Sequence, residues 1–171
     1  MTNKKVLDAL NVQFNEELNS SFVYLAMAAD FEAKKWLGFS TWMKKQADEE
    51  MIHVWKLYNF IFSRGGRPVY KAIDEPEMEY ESVKSIFEAA LKHEQYITSC
   101  VEKLVKLTRE ENDLATESLL RWYIDEQVEE EDNVSTILDR LAHIENDAGA
   151  LYLLDQELGT RTINSNPENT L

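Results

Sequence analysis

The 171-residue sequence is short of cysteine, glycine, proline, basic residues and long apolar runs. A single cysteine, Cys100, excludes an internal disulfide and a thiolate cluster for zinc or iron–sulfur, and it suits a reducing compartment. Five glycines and three prolines are few for an all-β protein, which needs many turns. The longest apolar run, Phe22 to Ala29, is too short to span a bilayer, so no membrane association is expected. No long apolar region follows Met1-Thr2-Asn3-Lys4-Lys5, so no signal peptide is expected and the protein reads as cytoplasmic. Lys and Arg total 18 against 32 Asp and Glu, a formal net charge of -14. That argues against nucleic acid as a partner, because its binders carry basic patches. The acid surplus suits cations as ligands, and equally a solvated acidic surface.

What is present is helical periodicity. The chain is 44% apolar and 29% charged, enough for one domain with a sizeable core. Apolar residues recur at three- and four-residue steps over four long stretches, the spacing of one helix face. The first runs from about Lys4 to Phe31, with Leu10, Phe14, Glu17, Tyr24 and Phe31 on its stripe. After a short turn at Lys34 to Gly38, a second runs from about Leu37 to Arg64 through Phe39, Met43, Gln46, Glu50, His53 and Leu57. Gly65-Gly66-Arg67-Pro68 ends it, since Gly takes a left-handed cap and Pro cannot continue a helix. A third runs from about Ser82 to Glu110 with Phe87, Glu94 and Val101. A fourth, started by Asn112-Asp113, runs to about His143 with Leu120, Tyr123, Gln127, Glu130 and Val134. After a break at Asn146-Asp147-Ala148-Gly149, a fifth apolar segment ends at Leu158, and the polar tail from Gly159 reads as frayed.

The stretch from about Gly65 to Glu81 has no helical stripe. A helix of about 28 residues is roughly 42 Å long, and about 16 extended residues reach roughly 53 Å. The connection can therefore run the length of a bundle and set the third helix parallel to the second.

Each of the four stripes is interrupted once by polar groups. Glu50 and His53, an E-x-x-H pair, leave one helix face together. The first turn, near residue 35, falls about midway between Glu17 and that pair. The second, near residue 111, falls about midway between Glu94 and Gln127 with Glu130. Two antiparallel hairpins thus put all the intruders at one depth. Several carboxylates in a low-dielectric core cost several kcal/mol each unless paired, and no Lys or Arg lies on these stripes. Protons or metal ions must neutralise them. Hard carboxylate oxygen and borderline imidazole nitrogen suit iron or manganese, with zinc as competitor.

Asn15-Glu16-Glu17-Leu18, Gln46-Ala47-Asp48-Glu49-Glu50-Met51-Ile52-His53, Lys92-His93-Glu94 and Asp125-Glu126-Gln127-Val128-Glu129-Glu130-Glu131 carry a resemblance to the bacterial non-haem ferritins, of the ferritin-like di-iron carboxylate family, along essentially the whole chain. The resemblance implies an all-α, ferritin-like four-helix bundle with a long crossover loop and a short C-terminal fifth helix. One domain would cover 1–171: bundle about 4–143, fifth helix about 149–158, flexible tail about 159–171. It implies a cage of twenty-four copies that oxidises ferrous iron with dioxygen or hydrogen peroxide at a di-iron site and stores the ferric mineral. By motif, Glu17, Glu50 and His53 would hold the first iron. Glu50, Glu94 and Glu130, with Gln127 close by, would hold the second. Glu49, Glu126, Glu129 and Glu130 stand where ligands of a third would be. Tyr24 faces the site, either as an aid to electron transfer or as a core aromatic with a bonded hydroxyl. Glu117 resembles a pore-lining acid, while Leu120 departs from the second acid of that pore.

Gln127 and Glu130 stand in place of a second E-x-x-H, which sets the chain apart from haem-binding bacterioferritins. Met51 reads as interface packing rather than a haem ligand. The single cysteine excludes a rubrerythrin-type tail. Trp122 reads as packing, Cys100 as a small packed hydrophobe, and His93 and His143 as surface residues. Two rivals stay open. One is a di-iron or di-manganese peroxidase or hydroxylase with a small-molecule pocket, in space that Phe14, Tyr24, Phe87 and Tyr123 would fill. The other is a passive metal buffer.

Overall fold

The computed structural model describes residues 3–144 and 147–162. Residues 163–171 of the expected tail, and Asn146 of the expected break, lie outside them. The described residues form five helices: α1 (Lys4–Ala33), α2 (Leu37–Ser63), α3 (Val83–Glu110), α4 (Leu114–His143) and α5 (Ala148–Leu158). The start of each of four of them is fixed by a side chain accepting from orphan backbone N–H groups. Asn3 caps Lys5 at 3.0 Å, and Ser82 and Ser85 cap one another's N–H groups at 3.0 Å each. Asp113 takes the Thr116 N–H at 3.1 Å, and Asp147 those of Gly149 and Ala150 at 3.0 Å.

α1 packs on α2, α3 on α4, α1 on α3, and α5 on α2. The two tight inter-helix turns use positive φ at non-glycine residues, Lys35 (66°) and Asn112 (54°). α2 begins at Leu37, as the sequence predicts, so the first turn is shorter than Lys34–Gly38. Gly38 is not part of it but lies inside α2, where its lack of a side chain serves packing. A β-carbon there would stand 1.7 Å from the Asp155 carbonyl oxygen of α5. The same joint is tied by the Phe39 N–H, which donates to Asp155 Oδ1 at 2.8 Å.

The crossover has no helix or strand of its own and is led along α1 by two asparagines. The Val69 N–H donates to Asn11 Oδ1 at 2.6 Å and the Lys71 N–H to Asn15 Oδ1 at 2.8 Å, while Asn15 Nδ2 returns a bond to the Val69 carbonyl at 2.8 Å.

The apolar interior comes in two clusters. One holds Met27, Phe31, Phe39, Trp42, Met43, Phe87, Val134 and Leu141, closed by Leu154 of α5. The other holds Leu10, Phe14, Leu57, Ile61, Val101, Leu104, Leu120 and Tyr123. Between them lies a layer of fully or nearly buried polar side chains: Glu17, Gln46, Glu50, His53, Glu94, Gln127 and Glu130. No described helix is long and apolar enough to cross a membrane.

Candidate metal centre

The layer exists because each stripe keeps its helical phase straight through the polar positions. Ligand atoms of Glu17, Glu50 and His53 lie within 4.8 Å of one another, and so do those of His53, Glu126 and Glu130. His53 Nδ1 stands 3.3 Å from Glu50 Oε2 and 3.6 Å from Glu17 Oε2. Glu17 Oε2 and His53 Nδ1 are buried with no hydrogen-bond partner among the described residues. Buried polar atoms rarely go unpaired. Two such atoms facing one another beside a second carboxylate, that of Glu50, are what a cation would satisfy, so the donor set fits a metal.

The remaining lone pairs and rings are held by neighbours, which is how outer groups orient metal ligands. Gln13 Nε2 donates to Glu17 Oε1 at 2.8 Å. Tyr24 donates its hydroxyl to Glu94 Oε1, and Gln127 Nε2 donates to Glu94 Oε2 at 3.1 Å. Gln46 Nε2 donates to Glu130 Oε2. The Tyr123 hydroxyl donates to the His53 carbonyl at 2.6 Å, and Trp122 meets the imidazole edge-on at 5.3 Å.

Electrostatics follow from burial. Burial pushes the Glu50 carboxyl well above its usual range, against the pull of His53. Burial alone would lower His53, but Glu50 and Glu17 outweigh it and raise the imidazole well above 6.5. Burial raises Glu94, opposed by its bonds from Tyr24 and Gln127. Burial and the neighbouring Glu94 charge raise Glu130 to about 8. Tyr24 is driven well up by burial and by Glu94. Without metal, the layer therefore holds protons that a divalent ion would displace.

Not every expected residue joins the groups. Glu94 lies in the layer, with its two carboxylate oxygens turned to Tyr24 and Gln127. Glu129 is exposed and lines an open groove of about 720 Å³ between α3 and α4, although its charge is felt at Glu49 and Glu126. Glu49 is engaged by Arg161, whose Nη2 donates to Glu49 Oε2. Arg161, which the sequence puts in the polar tail, finds two acceptors and an aromatic face within reach at this point.

His93 corrects the surface reading. It is half-buried, bonded to Ser20 Oγ at 2.8 Å and edge-on to Tyr24 at 6.1 Å, and burial lowers it to about 4. His143 is exposed as expected. Cys100 and Met51 are half-buried. Leu120 is buried in the core, and Glu117 pairs with Arg109 Nε at 3.0 Å. Gln13 and Arg161 went unseen in the sequence. Gln13 lies one helical turn before Glu17, a spacing that could have shown it. Arg161 lies beyond the last helical stripe, where no periodic signal reaches.

A four-helix bundle with a lengthwise crossover and a buried carboxylate–imidazole layer defines a ferritin-like metal-binding protein. Residues 7–144 match the family model described as Ferritin, "Ferritin-like domain". The chain is 40% identical over 162 residues to the bacterial non-heme ferritin of Staphylococcus aureus strain MRSA252, covering 95% of this chain and 98% of that protein. It is also 40% identical to that of Staphylococcus saprophyticus, over 95% and 97%. Among solved structures, an open-pore ferritin from the hyperthermophilic archaeon Archaeoglobus fulgidus superposes with a TM-score of 0.93 at 40% identity, over 95% of this chain and 100% of that one. The chain belongs to the ferritin family.

Proposed function

We propose that this protein is an iron-storing ferroxidase that works in the cytoplasm as a homo-oligomeric cage of twenty-four copies. The observation that carries the reading is the facing pair of unpartnered buried atoms, Glu17 Oε2 and His53 Nδ1, beside Glu50. Two ferrous ions are the substrate. Glu17, Glu50 and His53 receive one, and Glu50, Glu94 and Glu130 receive the other, with Gln127 and Tyr24 holding the Glu94 oxygens. Glu49, Glu126, Glu129 and Glu130 supply a third position. Binding expels the protons that burial keeps on the carboxyls. Each ferrous ion gives up one electron. Dioxygen takes both together with two protons and leaves as hydrogen peroxide, or hydrogen peroxide takes both together with two protons and leaves as two waters. The ferric product hydrolyses and moves to the acidic interior.

The ferritin relatives support this reading. The exposed apolar residues Phe22, Leu25, Trp55, Phe62, Tyr152 and Leu153 support assembly, because they give further copies of the chain apolar surface to cover. The buried rings of Phe14, Tyr24, Phe87 and Tyr123 fill the space that a small-molecule oxygenase would need for substrate.

In this reading Glu50 is a ligand of both irons. Glu50→Ala is therefore expected to slow stopped-flow ferrous oxidation by more than about 100-fold, the upper end for losing even an outer-shell partner. Oxidation at the wild-type rate would refute the site. Ferrous iron added in large excess in air, followed by a sizing column, is expected to give ferric absorbance co-eluting with a cage-sized particle. Two or three irons per chain on a small oligomer would refute storage.

A further inference from the structure

Beyond α5 the chain folds back onto the metal layer. The Gly38–Asp155 joint fixes α5 against α2, and two turn bonds carry the backbone on: Thr160 N–H to the Glu157 carbonyl at 3.0 Å and Arg161 N–H to the Leu158 carbonyl at 3.2 Å. From there the Arg161 guanidinium reaches inward. Its Nη1 donates to Gln46 Oε1 at 2.7 Å, its Nη2 donates to Glu49 Oε2, and its plane lies over the Trp42 ring with the guanidinium carbon 4.5 Å from the centroid. The Arg161 and Glu49 side chains are 17% and 19% exposed. Gln46 passes the contact on, since its own Nε2 donates to Glu130 Oε2.

We propose that Arg161 is a tethered cation that occupies Glu49 in place of a metal, so that the third metal position fills only when the guanidinium swings away. The inference rests on the reading of Glu49, Glu126, Glu129 and Glu130 as ligands of that position.

Three observations converge on it. A guanidinium and a divalent ion want the same carboxylate oxygen, so each excludes the other. The tether is short, so the guanidinium competes at an effective concentration of about millimolar, and weakly held metal meets a standing rival. The backbone of 159–161 is fixed while the arginine stem is long, so release needs only side-chain rotation. Through Gln46 the same movement reaches Glu130, which sits between the second and third positions. The device keeps the third position weak while the first two remain open. It biases the order of loading: the layer first, the Glu49 position last.

The test is an anaerobic calorimetric titration of the full-length assembled protein with ferrous iron, read as equivalents bound per chain and their affinities. In wild type the third equivalent is expected to be weaker than the first two. Arg161→Gln is expected to tighten that equivalent about tenfold or more, the effect of removing one charge-assisted competitor, to leave the first equivalent unchanged, and to shift the second, which shares Glu130, far less than the third. Arg161→Lys keeps a positive charge on the tether and is expected to hold the third equivalent at wild-type strength. Adding Glu126→Gln and Glu129→Gln to Arg161→Gln should remove that equivalent altogether. If it survives there, the third position is not built from these carboxylates and the inference loses its ground. If it is lost there, yet Arg161→Gln alone binds it no tighter than wild type, the latch is refuted. Equal tightening in the Gln and Lys variants would also refute it, because charge would then not be the competitor.

Discussion

Glu130→Gln should make the metal-free protein more stable while impairing its chemistry. Burial holds the Glu130 carboxyl at about 8, against 4.5 for an ordinary glutamate. In the unfolded chain this group has released its proton by neutral pH, while in the folded chain it keeps it. Because the folded value is the higher one, the carboxyl costs stability progressively as pH rises from about 4.5 towards 8, and costs nothing in strong acid. At about 1.4 kcal/mol per tenfold, the penalty is about 3 kcal/mol at pH 7 and about 1 kcal/mol at pH 5. Glutamine removes that penalty and keeps an oxygen to accept the Gln46 amide. For a chain of this length, about 1 kcal/mol moves the melting temperature by roughly 2–4 °C. Scanning calorimetry of chelator-treated protein is thus expected to show a gain of roughly 6–12 °C at pH 7, shrinking to roughly 2–4 °C at pH 5. The same variant is expected to bind less ferrous iron and oxidise it more slowly. A variant that melts lower than wild type at pH 7, or gains equally at both pH values, would refute the account of the layer as a set of buried acids kept for metal.

Other outcomes follow from single contacts. Gly38→Ala sets a methyl 1.7 Å from a backbone oxygen. It should destabilise the chain by about 1–3 kcal/mol and undock α5, visible as a lower melting temperature and loss of protection of the Phe39 amide in hydrogen exchange. Tyr24→Phe removes the hydroxyl that bonds Glu94. Its apo stability should fall by about 1–3 kcal/mol, and a tyrosyl radical signal expected in freeze-quenched turnover samples of wild type should be missing from the variant; identical spectra would leave Tyr24 a structural residue only. Deleting 147–171 exposes the Leu154 contact of the core and should give smaller or less heat-stable assemblies on a sizing column.

The long elements and the depth of the polar layer were legible because both depend on periodicity. Glu17, Glu50, His53, Glu94, Gln127 and Glu130 each broke a stripe that otherwise kept its phase, and turn positions near residues 35 and 111 were enough to align them. What stayed hidden depends on contacts between segments far apart in the chain. Gly38 reads locally as a turn residue, and only the approach of Asp155, at the other end of the sequence, explains it. His93 reads as a surface imidazole until α1 brings Ser20 and Tyr24 beside it. Arg161 sits in a polar tail whose composition says nothing of where it docks. Glu129 stands at the edge of the layer: motif position puts it among the third-site ligands, and its place on α4 leaves it exposed, with its charge felt at Glu49 and Glu126.

The division of the interior by the ligand layer also shapes how the sequence can change. A septum of carboxylates cannot be repacked with hydrocarbon without losing the chemistry, so each apolar cluster must be complete by itself. The energies of substitutions placed one on either side, such as Met27→Leu and Leu57→Ile, should therefore add, since sites that share no partners couple weakly. Lineages can drift at either end without consulting the other. Each half can change by itself, while the septum between them stays fixed by what it must hold.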